Sequence, residues 1–177
     1  MKILSRICIA IAVLIALPLI IALFVKKEYA VENQIIVNKP KQEVFNYVKL
    51  LKNQENYNIW LRKDPNVKKD LRGTDGTIGF VFAWDGNDEI GKGEQEIKTL
   101  NEGEKIETEL RFIEPFEGIA SASMITEAVS ENQTRVRWTM SGESKYPMNL
   151  TNLFVDGMLK KDLQTSLNDL KNNLEKN

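Results

Sequence analysis

An uncharged apolar segment at residues 7–25 is the feature that most constrains how this chain can fold. It contains only aliphatic and small side chains, one phenylalanine, one cysteine and one proline. As an α-helix it would rise about 28 Å, close to the thickness of the hydrocarbon core of a bilayer. No polar face interrupts it, so it is not typical of an amphipathic helix on a soluble core. Residues 1–27 are thus predicted to form a membrane anchor with one transmembrane helix. Its apolar positions include Ile7, Leu14, Pro18, Phe24 and Val25.

A cleaved signal peptide is the alternative interpretation of this segment. The apolar core of a signal peptide usually has about 7–15 residues, followed by small residues at the cleavage site. The segment here is longer and no Ala-x-Ala triplet follows it, which favours a retained anchor.

The charges on either side of the segment predict its orientation. Lys2 and Arg6 precede it, and Lys26 and Lys27 follow it. The α-amino group adds one positive charge to the N-terminal side. By the positive-inside rule, the folded domain is expected on the extracytoplasmic side of the membrane.

The remaining residues, 28–177, have the length of one ordinary domain. They hold all but four of the 24 lysines and arginines and all 25 aspartates and glutamates, which gives a formal charge of −5. This acidic balance argues against nucleic acid as a partner. The only cysteine is Cys8, inside the apolar segment, and the chain has no histidine. We therefore expect no metal site, no cofactor and no thiol or histidine catalysis.

Hydrophobic periodicity predicts the elements of the domain. Residues 29–38 are rich in valine and isoleucine and predict a first strand, which Lys39 and Pro40 end. Helical spacing of apolar residues predicts two short helices, one from Lys41 and one at residues 53–62. From Val67 the apolar period changes from about 3.6 to about 2, and short turns then separate five or six strands of an antiparallel meander. The clearest of these strands are expected at about residues 78–84, 90–100, 105–113, 119–129 and 134–142.

A long helix is predicted at residues 149–174, with Asn149 as a candidate N-cap. The leucines that step along it by three or four are Leu159, Leu163, Leu167, Leu170 and Leu174. A meander with one apolar face needs a cover, and this leucine stripe supplies it. The predicted domain is therefore α+β, with a curved antiparallel sheet wrapped around the C-terminal helix and a cavity between them.

Five short motifs follow one another along residues 29–175. They are Ile35-Ile36-Val37-Asn38-Lys39-Pro40 with Glu43-Val44-Phe45, Trp84-Asp85-Gly86-Asn87 leading to Gly91-Lys92-Gly93-Glu94, Leu110-Arg111-Phe112 with Pro115-Phe116-Glu117, Thr134 to Gly142, and Leu163 to Lys171. In this order the motifs resemble the bacterial polyketide cyclase/dehydrase-like branch of the START and Bet v 1-like superfamily, also called SRPBCC. The resemblance implies a helix-grip fold, and some members of this kind carry one N-terminal membrane helix.

The resemblance also implies an apolar pocket between the sheet and the long helix, which holds a lipid, sterol, polyketide or other hydrophobic small molecule. It implies no universal catalytic residue. Plain core packing is the alternative interpretation for each apolar side chain that faces this pocket. The candidate ligand-binding residues are Trp60, Phe80, Phe82, Trp84, Leu110, Phe112, Trp138, Met140, Phe154 and Met158.

Paired carboxylates are the candidates for acid–base chemistry. The pairs on one strand face are Glu94 with Glu96 and Glu107 with Glu109. Because they oppose the apolar face, a solvated outer surface with Arg111 as partner is the favoured interpretation. Glu143, at a strand end near Trp138, is better placed for the pocket. The favoured function is a membrane-tethered binding domain for a hydrophobic or amphipathic small molecule. A cyclase or dehydratase on the same fold and a partner-binding module are the alternatives.

Overall fold

The computed structural model describes residues 2–176, in which a leading helix is followed by an α+β domain. The helices are α1 (Lys2–Ala22), α2 (Lys41–Val48), α3 (Gln54–Tyr57), α4 (Ile59–Arg62) and α5 (Asn152–Glu175), with 3₁₀ turns at Leu51–Asn53 and Met148–Thr151. The strands are β1 (Glu28–Val37), β2 (Lys68–Arg72), β3 (Val81–Asp85), β4 (Lys92–Asn101), β5 (Lys105–Glu114), β6 (Gly118–Ser130) and β7 (Gln133–Glu143).

Helix α1 covers most of the apolar segment and exposes its side chains on every side. Val13, Leu14 and Ile15 are all exposed, and consecutive residues point to different sides of a helix. The helix ends at Ala22, which is buried where the chain meets the domain. Within the described residues, no helix combines the length and the apolarity that identify a membrane span. The transmembrane helix expected from the sequence is therefore not found, and the anchor at residues 1–27 stays a prediction.

The seven strands form one antiparallel sheet in the order β1-β7-β6-β5-β4-β3-β2. The meander expected after the two short helices is confirmed as β2 to β7, and the first strand pairs with the last, Val31 lying opposite Met140. Strand β2 is exposed at every position. The sequence predicts no separate strand there, because a strand with water on both faces carries no apolar alternation.

The leucine stripe of α5 covers the inner face of the sheet, as expected. Leu163, Leu167 and Leu170 are fully buried, and Leu159 packs against the core at its edge. Burying one leucine side chain contributes about 1.5–3 kcal/mol, so this stripe is the main attachment of the helix to the sheet. At one end of the core α2 adds three fully buried side chains, those of Val44, Phe45 and Val48.

Two helix predictions differ from the structure. The helix expected at residues 53–62 is divided into the single turns α3 and α4, because Asn58 between them has an extended backbone. The side chain of Asn58 then caps α4 by accepting a hydrogen bond from Trp60 N at 3.0 Å. Asn149 does not cap α5, which begins at Asn152. Its side-chain amide instead donates to the carbonyl oxygen of Ala22, the last residue of α1, and to that of Val25.

Candidate ligand cavity

A cavity of about 360 Å³ lies between the inner face of the sheet, the α3–α4 segment and α5. Its volume falls within the range of about 300–1,000 Å³ of small-molecule sites. Most of its lining is apolar or aromatic, with a few amide, hydroxyl and carboxylate groups. The lining residues are Tyr29, Gln54, Asn58, Trp60, Leu61, Phe82, Trp84, Glu89, Ile90, Gln95, Leu110, Phe112, Met140, Ser144, Val155 and Leu159.

One wall of the cavity is the aromatic pair Trp84 and Phe112. Their rings meet edge to face, with centroids 6.2 Å apart and planes inclined by 73°. The indole Nε1 of Trp84 donates to the carbonyl oxygen of Ile90 at 3.3 Å. Gly93 lies opposite Trp84 in the sheet, and a Cβ atom built on Gly93 would be 2.6 Å from the Trp84 ring. The absence of a side chain at Gly93 therefore leaves the space that the Trp84 indole occupies.

The opposite wall is Trp60, which α4 presents towards the sheet. Its Nε1 donates to Asp162 Oδ2 on α5 at 3.1 Å. Its ring meets the ring of Trp138 edge to face, with centroids 6.4 Å apart. Trp60 is thus held by α5 through Asp162 and by β7 through Trp138.

Two glutamine side chains place amide groups in this apolar lining. Gln95 lies on the inward face of β4, and its Nε2 donates to Thr108 Oγ1 at 2.8 Å. Gln54 Oε1 accepts a hydrogen bond from Asn58 Nδ2 at 3.1 Å. Each amide carries both donors and acceptors, so the pair can orient the polar end of an amphipathic ligand.

Tyr29 and Glu89 are the ionisable side chains among the lining residues that the structure describes. Burial raises the pKa of the Tyr29 phenol above its ordinary value, so the hydroxyl stays protonated at neutral pH. The ring of Tyr29 lies over Gly142 of β7, where a Cβ atom would be 2.5 Å from the phenol oxygen. Glu89 is exposed in the turn between β3 and β4. The site can therefore enclose an apolar body and donate a hydrogen bond to a polar tip.

Six of the sequence-predicted ligand residues come together in this lining. They are Trp60, Phe82, Trp84, Leu110, Phe112 and Met140. Phe80 and Trp138 lie in the buried core instead, where Trp138 packs between the rings of Tyr57 and Trp60. For these two residues the core-packing interpretation describes the structure.

The structure does not place Phe154 and Met158, two of the predicted ligand-binding residues, in the cavity lining. Their side chains are 71% and 63% exposed. The inward stripe of α5 starts with Val155 and Leu159, which line the cavity four residues apart. Phe154 and Met158 each precede one of these by one residue, and one residue is about 100° around a helix. The helix phase set by the leucine stripe thus turns both side chains outward.

Several lining residues are not among those predicted from the sequence, although the alternation of β4 indicates one of them, Gln95. Gln95 stands between Glu94 and Glu96, whose outward positions require the residue between them to face inward. Tyr29 and Ser144 carried no comparable signal, because they come together only where the start of β1 pairs with the end of β7.

The outer face of the sheet holds the carboxylates, as the favoured interpretation expects. Arg111 Nε lies 2.7 Å from Glu94 Oε1, and its Nη1 lies 2.7 Å from Glu96 Oε2 and 2.5 Å from Glu109 Oε1. Hydrogen bonds from Arg111 lower the pKa values of Glu94 and Glu96. Glu143 is exposed at the end of β7, outside the cavity lining. The cluster is therefore a surface ion-pair network.

Replacing Arg111 by methionine is expected to destabilise the domain at neutral pH and to matter less in acid. The folded-state pKa values of Glu94 and Glu96 are depressed, so their contribution to stability is present above the ordinary pKa of about 4.5. It is lost as the pH falls through the lower folded-state values. Urea unfolding between pH 7 and pH 3 should show the stability difference between the parent and the variant shrinking below about pH 4.5.

Lys98→Met is the control for this series, because Lys98 is half exposed and pairs with Glu96 alone at 3.2 Å. Its effect should be small at every pH. A stability difference for Arg111→Met that stays constant down to pH 3 would contradict the assignment.

No family model and no curated protein matches the chain. Several solved structures match it over most of its length. Norcoclaurine synthase from Thalictrum flavum, in complex with dopamine and hydroxybenzaldehyde, has a TM-score of 0.65 at 8% identity and covers 89% of this chain and 92% of its own. Ara h 8.0201 has a TM-score of 0.62 at 12% identity, and the match covers 85% of this chain and 99% of Ara h 8.0201. The Aha1 dimer from Colwellia psychrerythraea has a TM-score of 0.59 at 17% identity, and the match covers 83% of this chain and 96% of the Aha1 chain.

These likenesses show the fold of the domain. The domain has the helix-grip fold that the sequence motifs imply. The assignment to the polyketide cyclase/dehydrase-like branch stays a prediction.

Proposed function

We propose that the domain binds a hydrophobic or amphipathic small molecule in the cavity and that α1 holds the domain at a membrane. The observation that carries the binding proposal is the cavity of about 360 Å³ between aromatic walls. Each CH₂ group that a ligand buries there contributes about 0.8 kcal/mol. The amides of Gln54 and Gln95 and the phenol of Tyr29 are the groups that would orient its polar end.

The structural neighbours support the size class of this ligand. The Thalictrum flavum enzyme holds dopamine and hydroxybenzaldehyde, which are small aromatic molecules, on the same fold. From this likeness we take only the class of ligand, a small molecule. A cyclase or dehydratase activity and a partner-binding role stay predictions from the sequence.

The exposed surface of α1 supports the membrane proposal. Large apolar side chains are exposed along the helix from Ile3 to Ile21. A soluble monomer rarely exposes a contiguous apolar patch of more than a few hundred Å². An apolar surface on all sides of a helix is suited to the interior of a bilayer. The positive charges before the segment favour the extracytoplasmic side for the domain.

Leu110→Trp tests the binding proposal by filling the cavity. Leu110 lines the cavity from β5, so an indole at this position takes the space of at least two ligand CH₂ groups. We expect the affinity for an apolar fluorophore to fall at least about tenfold, since losing two CH₂ groups costs about 1.6 kcal/mol. Fluorescence titration of the full chain in detergent measures this change, and native mass spectrometry shows whether a co-purified lipid is lost.

Leu71→Trp is the matched control, because Leu71 is an exposed leucine of the edge strand β2. It should bind the fluorophore as the parent does. Equal affinities for Leu110→Trp and Leu71→Trp would rule out the cavity as the binding site.

A further inference from the structure

We propose that an apolar rim beside the cavity mouth docks on the surface of the bilayer that holds α1. The apolar rim consists of Ile113, Phe116, Ile119 and Met148. All four side chains are exposed, Phe116 to 66% and Ile119 to 62%. The proposal rests on the membrane anchor of the proposed function and adds the orientation of the domain on the membrane.

The apolar rim lines a groove that adjoins the cavity. The groove has a volume of about 640 Å³ and is formed by the β5–β6 turn and the segment after β7. It shares Tyr29, Phe112 and Ser144 with the ligand cavity. The rim therefore lies beside the end of the cavity that these three residues form.

The end of α1 is fastened to the same side of the domain. Asn149 Nδ2 donates to the carbonyl oxygens of Ala22 at 2.6 Å and Val25 at 2.8 Å. Asn152 Nδ2 donates to the carbonyl oxygens of Lys26 at 3.0 Å and Lys27 at 2.7 Å. The bond to Ala22 satisfies a carbonyl group that the end of α1 leaves without an intrahelical partner, and the other three hold the segment between α1 and β1.

The short segment after β7 thus both lines the groove and holds the end of α1. Ser144 N donates to Lys27 O at 2.9 Å, and the side chain of Ser144 helps to line both the cavity and the groove. Met148 of the rim is adjacent to Asn149, which holds α1. A bilayer around α1 therefore lies within reach of the rim, and this continuity selects the bilayer as its occupant.

The charges around the groove suit a zwitterionic surface. Lys145 lines it together with Glu117 and Glu143, and Arg111 at its edge is already paired with Glu94, Glu96 and Glu109. This small acidic excess disfavours anionic lipids, so a zwitterionic surface such as phosphatidylcholine suits the apolar rim.

Site-directed fluorescence in phosphatidylcholine vesicles tests this orientation. The full chain carries one cysteine, so Cys8→Ser gives a background for single cysteines at Ile119 and Val129. Both side chains are exposed, and both lie on β6, about 33 Å apart along the strand. An environment-sensitive nitrobenzoxadiazole label at position 119 should shift to shorter wavelength and lose most of its emission when the vesicles contain nitroxide-labelled phosphatidylcholine. The label at position 129 should keep its aqueous spectrum.

Flotation of the same samples separates the possible failures. A chain that does not float with the vesicles overturns the membrane anchor and this docking proposal together. A chain that floats while both labels stay aqueous overturns the docking alone. A blue-shifted label at position 119 that nitroxide lipid does not quench also overturns it, because the rim is then covered by protein, such as a second copy of the chain. Ligand binding by the cavity is measured separately and survives any of these results.

Discussion

Replacing Leu167 by alanine is expected to lower the free energy of unfolding by about 2–5 kcal/mol. Leu167 lies in the middle of the leucine stripe, and none of its surface is exposed. Truncation removes buried apolar area and leaves a cavity between α5 and the sheet, which relaxes only in part. Urea unfolding of the full chain in detergent, followed by circular dichroism, gives the stability difference.

Leu153→Ala is the matched control for this prediction. Leu153 is on the same helix and is exposed, so its truncation should change stability by less than about 0.5 kcal/mol. Similar losses for the two variants would show that α5 does not pack its leucine stripe on the sheet.

Replacing Gly93 by alanine is expected to destabilise the domain by about 1–3 kcal/mol and to weaken ligand binding. The new Cβ atom would be 2.7 Å from the carbonyl oxygen of Arg111 and 2.6 Å from the ring of Trp84. The backbone of a paired strand cannot yield cheaply, so the indole has to move into the cavity. The free energy of unfolding in urea and the affinity for an apolar fluorophore should both fall. The tryptophan emission, to which Trp84 contributes, should shift.

Gly157→Ala is the control with the opposite expected sign. Gly157 is exposed on α5, and a Cβ atom built on it meets nothing within 4 Å. Alanine is favoured over glycine in a helix by about 1 kcal/mol, so this variant should be more stable than the parent with unchanged ligand binding. A Gly93→Ala variant that binds ligand as well as Gly157→Ala does would contradict the role given to Trp84.

The order of elements could be predicted from the sequence because it depends on local patterns. The alternation along β5 and the leucine spacing of α5 each identify an element and the face it buries. The outward position of Glu94 and Glu96 follows from the same period. The break at Asn58 escaped prediction, since a single residue with an extended backbone leaves the surrounding apolar spacing unchanged.

The residues of the candidate cavity could be predicted only in part. Phe80, Phe82 and Trp84 share one face of the chain, yet Phe80 lies in the core and the other two line the cavity. Alternation determines which face a residue occupies but not how far along the strand the covering helices reach. The width between Trp60 and Trp84 depends on where α4 and α5 cross the sheet.

The sequence alone therefore determined the fold class, the inward face of the strands with apolar alternation and the apolar character of the N-terminal segment, because each depends on residues a few positions apart. The tertiary structure decided where the space for a ligand lies and how α1 meets the domain. Asn149 shows the difference most clearly, since its position predicted a cap for α5. Its partner is the Ala22 carbonyl, 127 residues away along the chain. Only the folded chain brings these two groups together, because no local period relates residues at that separation.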